Sequence, residues 1–196
     1  MKKILILQGG FNEEHKVSLN TANEVAKTLT KLKINFIKFT VNPKTFYSEI
    51  SKFSNDFICF NALHGTFGED GEIQKILKRK GFRVTHSSQV SSFNCFNKIK
   101  SKKIIKKYKI TTPEYIFSKA KEIDVNFLIN MKKKFKKFVL KPVNSGSSYG
   151  LKIIKSKKDL TIFCRDLNKF INSFDFNEDF IIEKYISGKE LTVSIL

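Results

Sequence analysis

The feature that most constrains the fold is the way short apolar runs lead into turns and then into helical periods. Residues 3–8 contain Ile4-Leu5-Ile6-Leu7 and read as a strand buried on both faces. Gly9-Gly10 turns the chain, and from Ser18 onward Ala22, Val25, Ala26, Leu29 and Leu32 share one helical face. A strand is expected over 34–41. A short helix is expected from Asn42-Pro43, with proline at its first position, to Phe53. Residues 56–61 read as a third buried strand, and Leu63 to Gly71 as a glycine-rich loop. A helix carrying Ile73, Ile76 and Leu77 follows, then a short strand over 82–85. Strands separated by helices favour parallel pairing, since a parallel connection needs a crossover long enough to hold a helix. The first part of the chain is therefore expected to be an α/β domain with a parallel sheet.

The rhythm changes near Ser88. Residues 88–108 look helical and carry Lys98, Lys100, Lys102, Lys103, Lys106 and Lys107, and Thr112-Pro113 ends that helix at a candidate domain boundary. A strand over 114–117, a helix over 119–134, a strand over 137–141 and a Gly/Ser loop over 142–150 follow. A strand over 151–154 leads to a long helix, where Ser156 and Asp159 have the spacing of an acidic capping box. Strands are expected over 180–185 and 190–196. No internal repeat or low-complexity linker interrupts this order.

Composition narrows the class. A chain of 196 residues with 41% hydrophobic content can bury one large core or two small ones. It has no apolar run long enough for a membrane span. The amino-terminal apolar run is too short for a signal-peptide core, and no small-residue cleavage site follows it. A soluble cytoplasmic protein with no membrane partner is the expectation. Cys59, Cys95 and Cys164 form no C-x-x-C pair, so neither a zinc site nor a disulfide framework is indicated, and their apolar contexts read as buried thiols. The net charge of +19 comes almost entirely from scattered lysines, with arginine only at 79, 83 and 165. Nucleic-acid readers lean on arginine for base edges and phosphates. Richness in Lys, Asn, Ile and Phe also matches A- and T-rich codons. No nucleic-acid partner is expected, although a positive surface still attracts an anionic substrate.

Four segments carry chemistry. Gly9-Gly10-Phe11-Asn12-Glu13-Glu14 opens a helix at a strand end. There the backbone can approach a ligand, and a carboxylate can hold an ammonium group. Alone, it also reads as a surface turn. The loop Leu63-His64-Gly65-Thr66-Phe67-Gly68-Glu69-Asp70-Gly71 sits where open α/β sheets bind ligands and is too polar for a mere connector. Lys141-Pro142-Val143-Asn144-Ser145-Gly146-Ser147-Ser148-Tyr149-Gly150 offers a lysine, amides and hydroxyls to phosphate. It lacks the Walker pattern, and a plain β-hairpin loop is the alternative. In Glu183-Lys184-Tyr185-Ile186-Ser187-Gly188-Lys189-Glu190, two acids flank a turn, suiting an adenine amino group and a ribose diol, or simply solvent.

In this order the four segments resemble the D-alanine–D-alanine ligases of the ATP-grasp superfamily. They fit the patterns G-G-x-x-x-E-x-x-V-S-L, L-H-G-x-x-G-E-D-G, K-P-x-x-x-G-S-S-x-G and E-K-x-x-x-G-x-E-x-T-V, with Asn97-Lys98 and Thr112-Pro113 between the second and third. The resemblance implies a Rossmann-like parallel-sheet domain over 1–95, a helical linker over 96–112 and an incomplete ATP-grasp α+β domain over 113–196. It implies synthesis of D-alanyl-D-alanine for peptidoglycan, through an acyl phosphate made with ATP, by a cytoplasmic homodimer. By carry-over, Glu14 anchors the ammonium of the first D-alanine, with Ser18 and His64 in its supporting network. Ser147 links to Glu14. Lys98 and Lys141 bind phosphate, Glu183, Lys184 and Ile186 line the adenine site, and Glu190 meets the ribose.

Lys16 stands where an acid is common in the family, and His86 where glycine is usual. The resemblance also implies a further carboxyl-terminal part of roughly 100 or more residues, a domain's worth. That part would hold the magnesium or manganese ligands, an oxyanion arginine and the second D-alanine site. No metal ligand is expected within the chain, which alone is expected to be inactive. Two rival readings are a ligase with another acceptor, such as D-lactate, and a non-catalytic basic module that binds nucleic acid.

Overall fold

The structure, a computed structural model, describes residues 3–193. The chain divides into two compact units, Met1–Ser101 with Asn144–Ser147 and Lys102–Val143 with Ser148–Leu196. The division falls inside the stretch expected to be a linker, between Ser101 and Lys102.

The first unit is built on β1 (Ile4–Gly9), β2 (Phe36–Val41), β3 (Ile58–Asn61) and β4 (Arg83–Val84), all parallel and in the order β2-β1-β3-β4. Successive residues of a strand face opposite sides of the sheet. Leu5 and Leu7 pack with Val41, Phe46, Ile50, Cys59, Ile73 and Leu77 on one side, and Ile6 packs with Ala22, Ala26 and Ala62 on the other. Both faces are covered, which is why the run Ile4–Leu7 shows no polar alternation. The helices are α1 (His15–Lys31), the short α2 (Phe46–Glu49), α3 (Glu72–Arg79) and α4 (Gln89–Phe96). α1 begins three residues before Ser18, and Leu32, expected on its apolar face, lies beyond its end and is exposed. Pro43 does not open α2. Asn42 closes a turn instead, its Oδ1 accepting from Lys44 N and its carbonyl from Thr45 N and Phe46 N.

The helix expected over 88–108 is two helices, α4 and α5 (Lys98–Lys107), with α5 straddling the division between the units. Asn97 breaks the run with ψ of 105°. Its Oδ1 then accepts from Lys100 N and its carbonyl from Ser101 N, so it starts the second helix as a cap.

The second unit carries β5 (Tyr115–Lys119), β6 (Phe138–Pro142), β7 (Lys152–Ile154) and β8 (Asp179–Lys184), antiparallel in the order β5-β8-β6-β7. Its helices are α6 (Val125–Phe135) and α7 (Lys157–Ile171). Phe138, Leu140, Phe180 and Ile182 face the core made with Leu128, Met131, Phe163 and Leu167. Alternation therefore turns Lys141 and Glu183 to the other face of the sheet. The capping box at α7 forms, with Ser156 Oγ accepting from Asp159 N and Asp159 Oδ2 accepting from Ser156 N. The helix expected from 119 begins only at Val125. β5 runs on to Lys119, Glu122 accepts from Ser118 Oγ and Lys119 N, and Asp124 caps α6 by accepting from Phe127 N at 2.6 Å. The strand expected over 190–196 is absent from 190–193, which are irregular and exposed, and 194–196 lie outside the described residues. Among the described residues no helix is long and apolar enough to cross a membrane.

Candidate functional site

In the first unit the site forms where β1 and β3 end. Gly9 and Gly10 turn the chain with φ of 94° and 84°, a conformation that favours glycine. Ser18, fully buried on α1, fixes this turn by accepting from Gly9 N at 2.8 Å. Glu14 ends the turn and is 5% exposed. Its Oε1 accepts from Ser147 Oγ, while its Oε2 is buried without a hydrogen-bond partner among the described residues. Two glycines wall that oxygen. A Cβ on Gly65 would lie 2.4 Å from Oε2 and one on Gly146 3.3 Å away. Glycine at both positions keeps Cβ atoms off the carboxylate.

The loop after β3 is held by side chains rather than by a strand or helix. Asn61 Nδ2 and Gln74 Nε2 both donate to the Gly68 carbonyl at 2.8 Å, and Asp70 accepts from Phe67 N and Glu72 N. Asn12 Nδ2 donates to the His64 carbonyl at 2.7 Å. The His64 ring lies between Thr21 Oγ1, 2.9 Å from Nε2, and Glu69 Oε1, 3.5 Å from Nδ1. Lys98 Nζ donates to the Ser145 carbonyl at 2.6 Å. His64, Glu69, Gln74, His86, Cys95 and Lys98 share a cleft of about 500 Å³, with Gly146 also on its wall. Burial and, secondarily, the nearby His64 hold His86 below the usual imidazole range. Its ring stands edge-on to Phe60, with centroids 5.1 Å apart.

Of the three cysteines expected to be buried, one is. Cys59 is fully buried, which pushes its thiol up to about 12. Cys164 is only partly buried, and burial raises it as well. Cys95 is exposed because α4 buries none of its residues.

In the second unit Glu183 lies between two lysines. Lys102 Nζ is 2.8 Å from Oε1 and Lys141 Nζ is 2.7 Å from Oε2. Burial pushes the Glu183 carboxyl up, but hydrogen bonds and charge from Lys102 and Lys141 outweigh it and hold it below the usual carboxylate range. Lys102 was not singled out from its lysine-rich helix. Its spacing of four from Lys98, which puts both on one helix face, was the available signal. Lys184, Ile186 and Glu190 are exposed, and the structure gathers none of them around Glu183. Among the described residues no group of three His, Cys, Asp or Glu side chains could hold a metal.

A parallel-sheet unit with a cleft of about 500 Å³ and an antiparallel unit with a lysine-flanked buried acid make an α/β fold that matches solved D-alanine–D-alanine ligases, which are ATP-grasp enzymes. The D-alanine–D-alanine ligase of Bacillus anthracis superposes with a TM-score of 0.76 and 34% identity over 96% of this chain and 59% of that one. A structure of a Bacillus anthracis ligase complexed with ATP gives a TM-score of 0.73 at 31% identity, covering 96% and 60%. Residues 104–196 match the family model described as D-ala D-ala ligase C-terminus. The D-alanine–D-alanine ligase of Pelagibacter ubique is 40% identical over all of this chain and 61% of its own length. That of Wolbachia pipientis wMel is 38% identical over 98% of this chain and 58% of its own length. Over its whole length the chain is similar to D-alanine–D-alanine ligases, and it spans about 60% of the length of these relatives.

Proposed function

We propose that the chain carries the first D-alanine site and part of the ATP site of a D-alanine–D-alanine ligase. The observation that carries this reading is Glu14, whose buried Oε2 has no hydrogen-bond partner among the described residues and lies against the glycine backbone of Gly65 and Gly146. A buried carboxylate oxygen without a partner is costly, and a substrate ammonium relieves it. Ser147 holds the other oxygen and sets the direction of the carboxylate. Ser18 fixes the turn that delivers Glu14, and His64, held by Thr21, lies in the adjoining cleft near the substrate carboxylate.

The same reading gives the second unit to the nucleotide. Lys141, beside the Gly/Ser loop, is its phosphate-binding cation, and Glu183 receives the adenine amino group; Lys98, in the first unit, is read as a phosphate-binding lysine as well. Lys184 and Ile186 line the adenine, and Glu190 meets the ribose. These residues fit a nucleotide by donor chemistry, with cations for phosphate and a buried carboxylate for an amine. In the whole protein, ATP phosphorylates the carboxylate of one D-alanine, the amine of a second attacks the acyl phosphate, and inorganic phosphate leaves. Magnesium or manganese supplies charge stabilisation to phosphoryl transfer. The proposal gives its ligands and the acceptor site to the remaining length of the whole protein, and takes the chain alone to be inactive. A role in peptidoglycan precursor synthesis, a cytoplasmic location and a homodimer complete the proposal, as does a domain division at 95 and 112.

The test is D-alanine-dependent phosphate release by the whole protein. Glu14→Gln and Lys141→Ala should each lower it by orders of magnitude while the variants stay folded by circular dichroism. Wild-type rates in both would sink the assignments. Supplying D-lactate alongside D-alanine and identifying the product fixes the acceptor.

A further inference from the structure

We propose that Lys102 is a positioning residue of the nucleotide site, the permanent counterion of Glu183 that frees Lys141 to leave that carboxylate for phosphate. The inference rests on the nucleotide reading of the second unit. The two lysines are held differently. Lys102 has a side chain 7% exposed, and besides Glu183 its ammonium donates to Thr112 Oγ1 at 2.6 Å and to the Pro113 carbonyl at 3.2 Å. Three acceptors use all three N–H bonds of an ammonium group. The Tyr115 ring lies against it, with the centroid 4.8 Å away. Lys141 has a side chain 25% exposed and pairs with the other Glu183 oxygen. One cation is locked in place, and the other has solvent on one side.

Consider the arrival of a polyphosphate. Lys141 can turn to it only by abandoning Glu183, and a buried carboxylate left without a cation is strongly disfavoured. With Lys102 in place the carboxylate keeps its charge and direction, and the oxygen that Lys141 vacates is available to an amino group. The charged and titratable groups facing Glu183 are Lys102 from α5, Lys141 from β6 and Tyr115, its partner across β5. Without Lys102, the departure of Lys141 makes Glu183 take up a proton. ATP binding then becomes coupled to proton uptake, and affinity rises as pH falls.

The experiment is calorimetry of ATP binding to the chain in buffers of different ionisation enthalpy. In the wild type the pH profile follows the phosphate groups of ATP alone. Relative to it, Lys102→Met should take up about one more proton and gain up to about tenfold in affinity per unit fall in pH. Lys102→Arg should restore the wild-type proton count, and adding Glu183→Gln to Lys102→Met should abolish the extra proton. A wild-type proton count in Lys102→Met overturns the inference alone, whereas no ATP binding even by the whole wild-type protein overturns the nucleotide reading beneath it. If Lys102→Met does not fold, Lys141→Met carries the question. A carbon-13 titration should find its Glu183 carboxyl still below the usual carboxylate range. A Glu183 carboxyl raised above that range would show that Lys102 does not hold it, and would overturn the proposal.

Discussion

Each unit contains one buried glutamate built for an opposite purpose. Glu14, 5% exposed, keeps one oxygen unpartnered against glycine backbone. Glu183, 9% exposed, has a lysine on each oxygen. The first carboxylate is a deficit that a ligand can fill, so its cost is borne by the empty protein. The second is compensated from within and contributes to holding its unit together. Burial alone does not separate an unpartnered acid from a compensated one. The partners of each oxygen do.

Substituting the two acids breaks this comparison most directly. Glu14→Gln should reduce D-alanine-dependent activity of the whole protein at least about a hundredfold, from loss of a charge-assisted contact in a closed site. Its unfolding free energy should stay within about 1 kcal/mol of wild type, because the amide removes an uncompensated charge. Glu183→Gln should do the reverse to stability, lowering it by about 3–5 kcal/mol by stranding the buried Lys102. Urea midpoints of both variants, read by circular dichroism, decide the matter. Equal losses would erase the distinction.

A subtler test fills the gap itself. Gly65→Ala puts a methyl against Glu14 Oε2 and forces a side chain into φ of 68°. The backbone alone should cost about 1–2 kcal/mol, and D-alanine binding should weaken more than stability does, as titration calorimetry can show. Acid sharpens the other half of the comparison. The Glu183 carboxyl is depressed from an ordinary value of 4.5, so its stabilisation is fully present above that pH and is lost as pH falls through the folded value. The stability gap between wild type and Glu183→Gln should therefore narrow below that point. The smallest effect is chemical. At mild alkaline pH a thiol reagent should label Cys95 quickly and Cys59 only after unfolding, since the Cys59 thiol lies near 12.

Much of this was legible in the sequence where one residue type has one physical use. The apolar run of β1 signalled a strand covered on both faces, and Ser156 with Asp159 marked the start of α7. The glycines and acids of the loop after β3 marked a polar loop that lines the cleft. What stayed hidden depends on neighbours distant in sequence. Lys102 is one lysine among many in α5, and only the approach of β8 and β6 makes it an internal counterion. The break at Asn97 needed its side chain to outcompete a continuous helix. The strand expected over 190–196 is not formed over 190–193, which have the right composition but no partner among the described strands. Cys95 looked apolar in its run but sits on a helix that buries nothing.

The carbonyl of Gly68 accepts from two amides, Asn61 and Gln74, and a Cβ on Gly68 would meet that of Leu63 at 2.6 Å. In evolutionary terms these positions are not independent characters. A side chain at 68 clashes with Leu63, and replacing Asn61 strands the Leu63 N–H that donates to its Oδ1, whereas losing Gln74 still leaves the Gly68 carbonyl one donor, so drift through this loop favours coordinated change. A saturation library covering positions 61, 63, 68 and 74 should yield functional variants as correlated combinations far more often than as single replacements.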